Sequence, residues 1–219
     1  MRLSTMLSDK HNSFHVKDLA DRSIPDMKGF QLTENFFEVV LEECPEAVMV
    51  FSVRMDVRAG FSGGSGDKSI NAVIDDEHDY KCLSTDLAID LSRIILVNQT
   101  HGSRIFTLGE NDSLQSRCDA IISDKSGYYP SIRTADCQAI LIIDPVRKVS
   151  AAVHAGWRGT VMRITRKVVS KLIDDHGSSP IDLIVALGPS VGTCCYEVDD
   201  RVIRPLEDAI PAARSFVEA

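Results

Sequence analysis

Between residues 93 and 187 the chain carries five short apolar runs separated by turn residues, and only one stretch with helical periodicity. RIILVN (93–98), CDAIIS (118–123), QAILII (138–143), VSAAV (149–153) and IDLIVAL (181–187) are of strand length and rich in β-branched residues, and Asp144-Pro145 closes the third. The helix falls over 160–175, where Val161, Ile164, Val168, Val169 and Leu172 recur at helical spacing, with Thr160 as the expected N-cap and His176-Gly177 as the stop. Strands this numerous with so few helices between them do not make a doubly wound parallel sheet, so a mixed α/β fold is expected. In the first half, EAVMVFSV (46–53) reads as a strand, 58–68 with its four glycines and two serines as a loop, and 75–92 as a helix. The first thirty residues are polar and weakly patterned, an expected loose lead-in. No domain boundary stands out, and 219 residues suffice for one domain with a sizeable core, so 1–219 is read as a single domain.

The net charge is −8. An acidic surface disfavours a nucleic-acid partner, whose phosphates need a Lys/Arg excess, yet leaves room for a small phosphorylated substrate in a local basic pocket. No window of 18 or more apolar residues occurs, and the N-terminus is polar without an apolar signal core, so neither a membrane span nor export is expected and the cytoplasm is the expected compartment. In that reducing setting the six cysteines are read as buried thiols or metal ligands rather than disulfides.

Three residues stand in equivalent places. His101 follows one apolar run, His154 follows another, and Cys137 immediately precedes a third. Loops at strand ends are where a rigid scaffold presents reactive groups. Two imidazoles and a thiolate suit zinc, and three protein ligands leave a fourth position for water. The spacings of 36 and 17 residues match no local zinc motif, so the flanking residues carry the argument. Gly102, Gly156 and Gly159 permit close backbone approach. Asp136 and Arg158 are charges beside apolar strands, where a charge is unfavourable unless it has a partner or a task.

The blocks VNQTHG (97–102), CDAIIS (118–123), TADCQAILIIDP (134–145), VSAAVHAGWRGT (149–160) and LGPSVGTCCYEVDD (187–200) resemble, in the same order, the YfiH-like proteins. These are also described as laccase-domain or multicopper polyphenol oxidase proteins and as peptidoglycan editing factors. TADC followed by HAGWRG is the most specific pair, and the resemblance covers about residues 46–203. It implies a layered α/β/β/α sandwich with mixed sheets, zinc ligands at His101, Cys137 and His154, and activity on purine nucleosides. The implied reactions are phosphorolysis of adenosine, inosine and methylthioadenosine, and deamination of adenosine. Asp136 and Glu197 are the carboxylates considered as proton donor, Asp136 being counted with the catalytic set and Glu197 with the substrate. Arg158 is the expected phosphate or ribose contact, since its planar fork suits oxygen ligands, with amides around 156–159 beside it. An Arg at 54 or 58 is a further candidate. The family continues past the CCYEV block with a Cys-Thr pair and a Ser-Tyr-Arg-Arg-like segment that this chain, ending at Ala219, does not carry, so part of the pocket is expected to be missing.

Three other readings compete. A copper-dependent phenol oxidase needs many more histidines in metal-like settings than His101 and His154 among the six present. A metal-free thiol enzyme would use Cys137 as nucleophile with one of these histidines as base. A cell-wall precursor binding or editing protein would use the metal only to organise loops. Chelation, metal analysis and nucleoside turnover separate them.

Overall fold

The computed structural model describes residues 30–32, 36–41, 44–52, 90–109, 117–188 and 190–216. The chain divides into two compact units, one spanning Ser13–Arg93 and one comprising Met1–Asn12 and Ile94–Ala219. In the first unit, strands β1 (Phe30–Leu32), β2 (Phe36–Leu41) and β3 (Cys44–Ser52) form an antiparallel sheet in chain order, with a register shift between Val40 and Leu41. FFEVVL and CPEAVMVFS have the β-branched and aromatic content that suits pleated backbone. β3 matches the strand expected over 46–53, whereas β1 and β2 were not anticipated. The glycine-rich loop at 58–68, Arg54 and Arg58, the lead-in and most of the helix expected over 75–92 lie outside the described residues. At the end of that stretch, Leu91–Arg93 form a 3-10 turn that runs one residue past the expected helix.

The second unit is built on β5 (Ile105–Thr107), β6 (Ala120–Ser123), β8 (Gln138–Asp144), β9 (Val149–Ala155) and β10 (Ile184–Leu187), in the order β10-β8-β9-β6-β5. All pairings are antiparallel except β5 with β6, so the sheet is mixed. A parallel two-stranded ladder joins β4 (Ile94–Ile95) to β7 (Tyr129–Pro130). Helices α1 (Trp157–Val161), α2 (Ile164–His176) and α3 (Asp200–Ala209) complete the unit. The fold is mixed α/β with mixed sheets, as expected. No helix among the described residues is long and apolar enough to cross a membrane.

Alternation along the strands sorts residues onto two faces. On one face Ala120, Ile122, Ile140, Ile142, Val149, Ala151 and Val153 pack with Ile164, Val168 and Leu172 of α2. The three α2 residues recur every four positions, one stripe of the helix. The other face carries Ile121, which clusters with Ile95, Val97, Phe106 and Cys118. His154 falls on this second face, because it is paired with Ala139 one residue out of step with Val153.

Four local expectations need correction. β9 runs two residues past the expected end, so His154 lies within the strand rather than after it. The expected single helix over 160–175 is two: α1 starts at Trp157 with Gly156 at its N-cap, and α2 starts after Arg163, which has left-handed backbone at φ 58°. Thr160 is therefore inside α1 and caps nothing, while Gly177, left-handed at φ 67°, ends α2 as expected. Of RIILVN only Ile94–Ile95 joins a ladder, because its partner β7 is two residues long; Asn98 makes one isolated bridge to Arg117. β10 begins at Ile184 and lies at the sheet edge, which leaves Val185 and Leu187 exposed rather than buried.

Candidate metal centre

The register of β6 and β9 starts the site. Ala120 lies opposite Val153, and the next pair outward brings Asp119 to His154, whose backbone N–H donates to the Asp119 carbonyl at 2.8 Å. Both side chains are buried, at 0% and 3% exposure. His154 Nδ1 lies 2.9 Å from Asp119 Oδ1. A carboxylate accepts there, so Nδ1 carries the proton and Nε2 is left as the nitrogen with a free lone pair.

The same carboxylate organises the turn that carries His101. Backbone N–H groups of Thr100, His101 and Gly102 donate to Asp119 at 3.1, 2.7 and 2.7 Å, and the Thr100 hydroxyl adds a bond of 3.1 Å. His101 adopts a left-handed backbone at φ 57°, rare for a residue with a β-carbon. Its ring meets that of His154 edge to face, with centroids 4.7 Å apart. Cys137 arrives from the loop before β8. That loop is tied down by the Val191 N–H donating to the Asp136 carbonyl at 3.0 Å, and by Gln138 Nε2 donating to the Gly188 carbonyl at 2.7 Å. Ser190 Oγ donates to Gln138 Oε1 at 3.1 Å, so Gly188, Ser190 and Val191 all bond to the Asp136–Ala139 stretch. Gln99 bonds both the carbonyl and the N–H of Arg133, bracing the two loops against each other.

The outcome is that one donor atom each from His101, Cys137 and His154 lies within 4.8 Å of the others. His101 is exposed, Cys137 half-buried and His154 buried, so the triad opens to one side. Donor chemistry and spacing suit one ion: a tetrahedral zinc with bonds of about 2.0–2.3 Å gathers donors over a similar span. Gly156 leaves the room. A β-carbon there would stand 3.0 Å from Cys137 Sγ and 3.2 Å from His101 Cδ2.

Electrostatics without an ion suit capture of one. Burial alone would raise the Asp119 carboxyl, but hydrogen bonds from His154, Gly102 and Thr100 outweigh it and bring its pKa down to about 2. Burial lowers the His101 pKa, aided by His154 and Arg158 and opposed by Asp119, so its ring is neutral and able to ligate at neutral pH. Burial, then Asp136 and Asp119, raises the Cys137 thiol, which is therefore protonated at neutral pH until a cation arrives.

The remaining expected residues sit around this triad. Asp136 is exposed and acts on Cys137 and Tyr196 through its charge. Arg158 is exposed, lies 4.3 Å over the Trp157 ring, and acts on His101 and Tyr196. Being exposed, neither Asp136 nor Arg158 bears the burial penalty expected of a charge beside an apolar strand. Glu197 is exposed and follows the 3-10 turn Thr193–Cys195. Tyr196, in the CCYEVDD block, has its phenol pKa raised by burial, Cys137 and Asp136. Asp119 is absent from the expected site residues, although a carboxylate inside a run expected to be buried is a signal.

Fold and triad together define a mixed α/β protein with one His-Cys-His cluster among the described residues. The chain belongs to the family described as multi-copper polyphenol oxidoreductase laccase, whose model matches residues 62–219. It is 32% identical over 123 residues to the purine nucleoside phosphorylase YlmD of Bacillus subtilis (strain 168), an alignment covering 52% of this chain and 44% of that one. It is 31% identical over 136 residues to adenosine deaminase RL5 of an unknown prokaryotic organism, covering 58% and 52%. The chain thus spans about half the length of these curated relatives. The solved structure of YlmD from Geobacillus stearothermophilus aligns with a TM-score of 0.66 at 28% identity, covering 82% of this chain and 72% of that one. The hypothetical protein YfiH of Bacillus licheniformis aligns at 0.67 and 25%, covering 83% and 72%.

Proposed function

We propose that this chain is a zinc-dependent purine nucleoside enzyme that cleaves adenosine, inosine and methylthioadenosine by phosphorolysis and deaminates adenosine. The observation that carries the reading is the convergence of His101, Cys137 and His154 within 4.8 Å. Relatives named purine nucleoside phosphorylase and adenosine deaminase support the substrate class. His101, Cys137 and His154 would hold zinc there, and the ion would supply a Lewis acid. Around it, His101 would present a neutral nitrogen, His154 the ring nitrogen turned away from Asp119, and Cys137 a thiolate once its proton has left. Arg158 is the cation for phosphate, and Asp136 the exposed carboxylate nearest Cys137 in the loop. Deamination takes oxygen from water to C6 of adenine and releases ammonia. Phosphorolysis breaks the bond between base and ribose C1 and joins phosphate to that carbon.

The raised Cys137 thiol does not favour the metal-free thiol reading, since the thiolate is the nucleophile. Copper is the alternative metal, and metal analysis of the purified protein decides between the two.

Zinc-loaded protein incubated with adenosine should give inosine without phosphate and adenine plus ribose 1-phosphate with it. His101→Ala and Cys137→Ala should each lower turnover by more than about 100-fold, beyond the effect usual for outer-shell residues. Arg158→Ala should reduce phosphorolysis roughly ten- to hundredfold while sparing deamination, the loss of one charge-assisted contact. Folded, zinc-replete protein that forms no product contradicts the reading.

A further inference from the structure

Asp119 spends both carboxylate oxygens on the metal centre. It is fully buried, where a charge persists only if its partners satisfy it. Those partners are the three successive amides of 100–102, the Thr100 hydroxyl and His154 Nδ1. Consecutive amides converging on one point form an anion-binding nest. Here the chain's own carboxylate fills the nest, so this turn is committed to holding His101 rather than to binding a substrate anion.

We propose that Asp119 is the positioning residue of the metal centre: one carboxylate fixes the left-handed backbone of His101 and the ring tautomer of His154, placing two of the three ligands as a unit. The inference rests on reading the triad as a metal site. Its physical basis is pre-organisation. Left to itself, His101 would leave the left-handed region, and the His154 ring would exchange protons between Nδ1 and Nε2. Either change removes a ligand. Only a residue standing at the mouth of β6, opposite the end of β9 and beside the 100–102 turn can reach both, and the sheet register puts Asp119 there.

Three measurements test this. In metal-free, nitrogen-15-labelled wild-type protein, long-range proton–nitrogen NMR of the His154 ring (assigned by its loss in His154→Gln) should show Nδ1 protonated and Nε2 bare; the reverse tautomer overturns the proposal whatever any variant does. Zinc affinity, measured by competition with a chromophoric chelator, should fall 10- to 100-fold in Asp119→Asn, the range usual for an outer-shell partner of a ligating histidine. The visible spectrum of the cobalt-substituted variant should shift as well, which a loss of global stability alone would not cause. Melting of the metal-free proteins establishes that the variant is folded. Folded Asp119→Asn that binds zinc as tightly as wild type, with an unchanged cobalt spectrum, overturns this inference and leaves the metal reading standing. Wild-type protein that binds no zinc overturns the metal reading, and the inference with it.

Discussion

Cys137 is the residue whose behaviour separates a ligand from a nucleophile. Its thiol is raised by burial, Asp136 and Asp119, so in metal-free protein the thiolate fraction grows only as pH climbs above the ordinary thiol value of 9.0. Alkylation of Cys137 by iodoacetamide, followed by peptide mass spectrometry, should therefore be slow at pH 7 and accelerate above pH 9, and zinc should protect the residue. Rapid alkylation at pH 7 would favour an activated nucleophile instead. Gly156 offers a steric test. Its backbone, φ −73° and ψ 171°, accepts any residue, so Gly156→Ala acts only through the β-carbon pressed on Cys137 and His101. Zinc affinity should fall about tenfold or more, with overpacking costing about 1–3 kcal/mol in thermal melts. At this scale the sequence pointed to the three donors that the fold brings together, but not to the carboxylate that braces two of them. His101, Cys137 and His154 were readable because each abuts an apolar run and the TADC and HAGWRG blocks are specific. Asp119 stands in the strand run CDAIIS, and the cost of a buried charge without a partner falls on it rather than on exposed Asp136 and Arg158.

Elements were readable where a side chain pattern decides them. The α2 stripe Ile164, Val168 and Leu172 is fully buried, and its spacing alone marked the helix. Leu172→Ala should destabilise the unit by about 2–5 kcal/mol in denaturant unfolding, and Ile173→Ala, on the exposed side, by less than about 1 kcal/mol. Equal effects would contradict the assigned face. The break between α1 and α2 was not readable: it turns on the left-handed backbone of Arg163, whose Nη2 donates to the Ala209 carbonyl at 2.9 Å. Such long-range contacts leave no periodicity. β5 and β7 were missed for length, three and two residues being too few to show alternation. α3 was missed because it has no buried residue and holds Pro205, although Asp199 caps it by accepting from the Arg201 N–H.

At the scale of the whole molecule, Asp119 links the centre to stability. Its pKa falls from 3.8 in the unfolded reference to about 2 in the fold. A lowered carboxylate pKa contributes stability above the unfolded value and loses it as pH drops through the folded one, so the contribution disappears between about pH 4 and pH 2. The size is on the order of 2 kcal/mol. Acid unfolding of metal-free protein should be steep in that window and flatter in Asp119→Asn. A wild-type curve indifferent to pH there would contradict the assigned hydrogen bonds. The mixed sheet, its register and the strand-end loops exist, on this account, to deliver three donors to one point. The most direct test is the metal itself: elemental analysis and anaerobic zinc titration of wild-type protein beside His101→Ala, Cys137→Ser and His154→Ala. The account predicts one zinc per chain in wild type, lost in each variant that stays folded. Wild-type protein without zinc, or folded Cys137→Ser that retains it with full affinity, would contradict it.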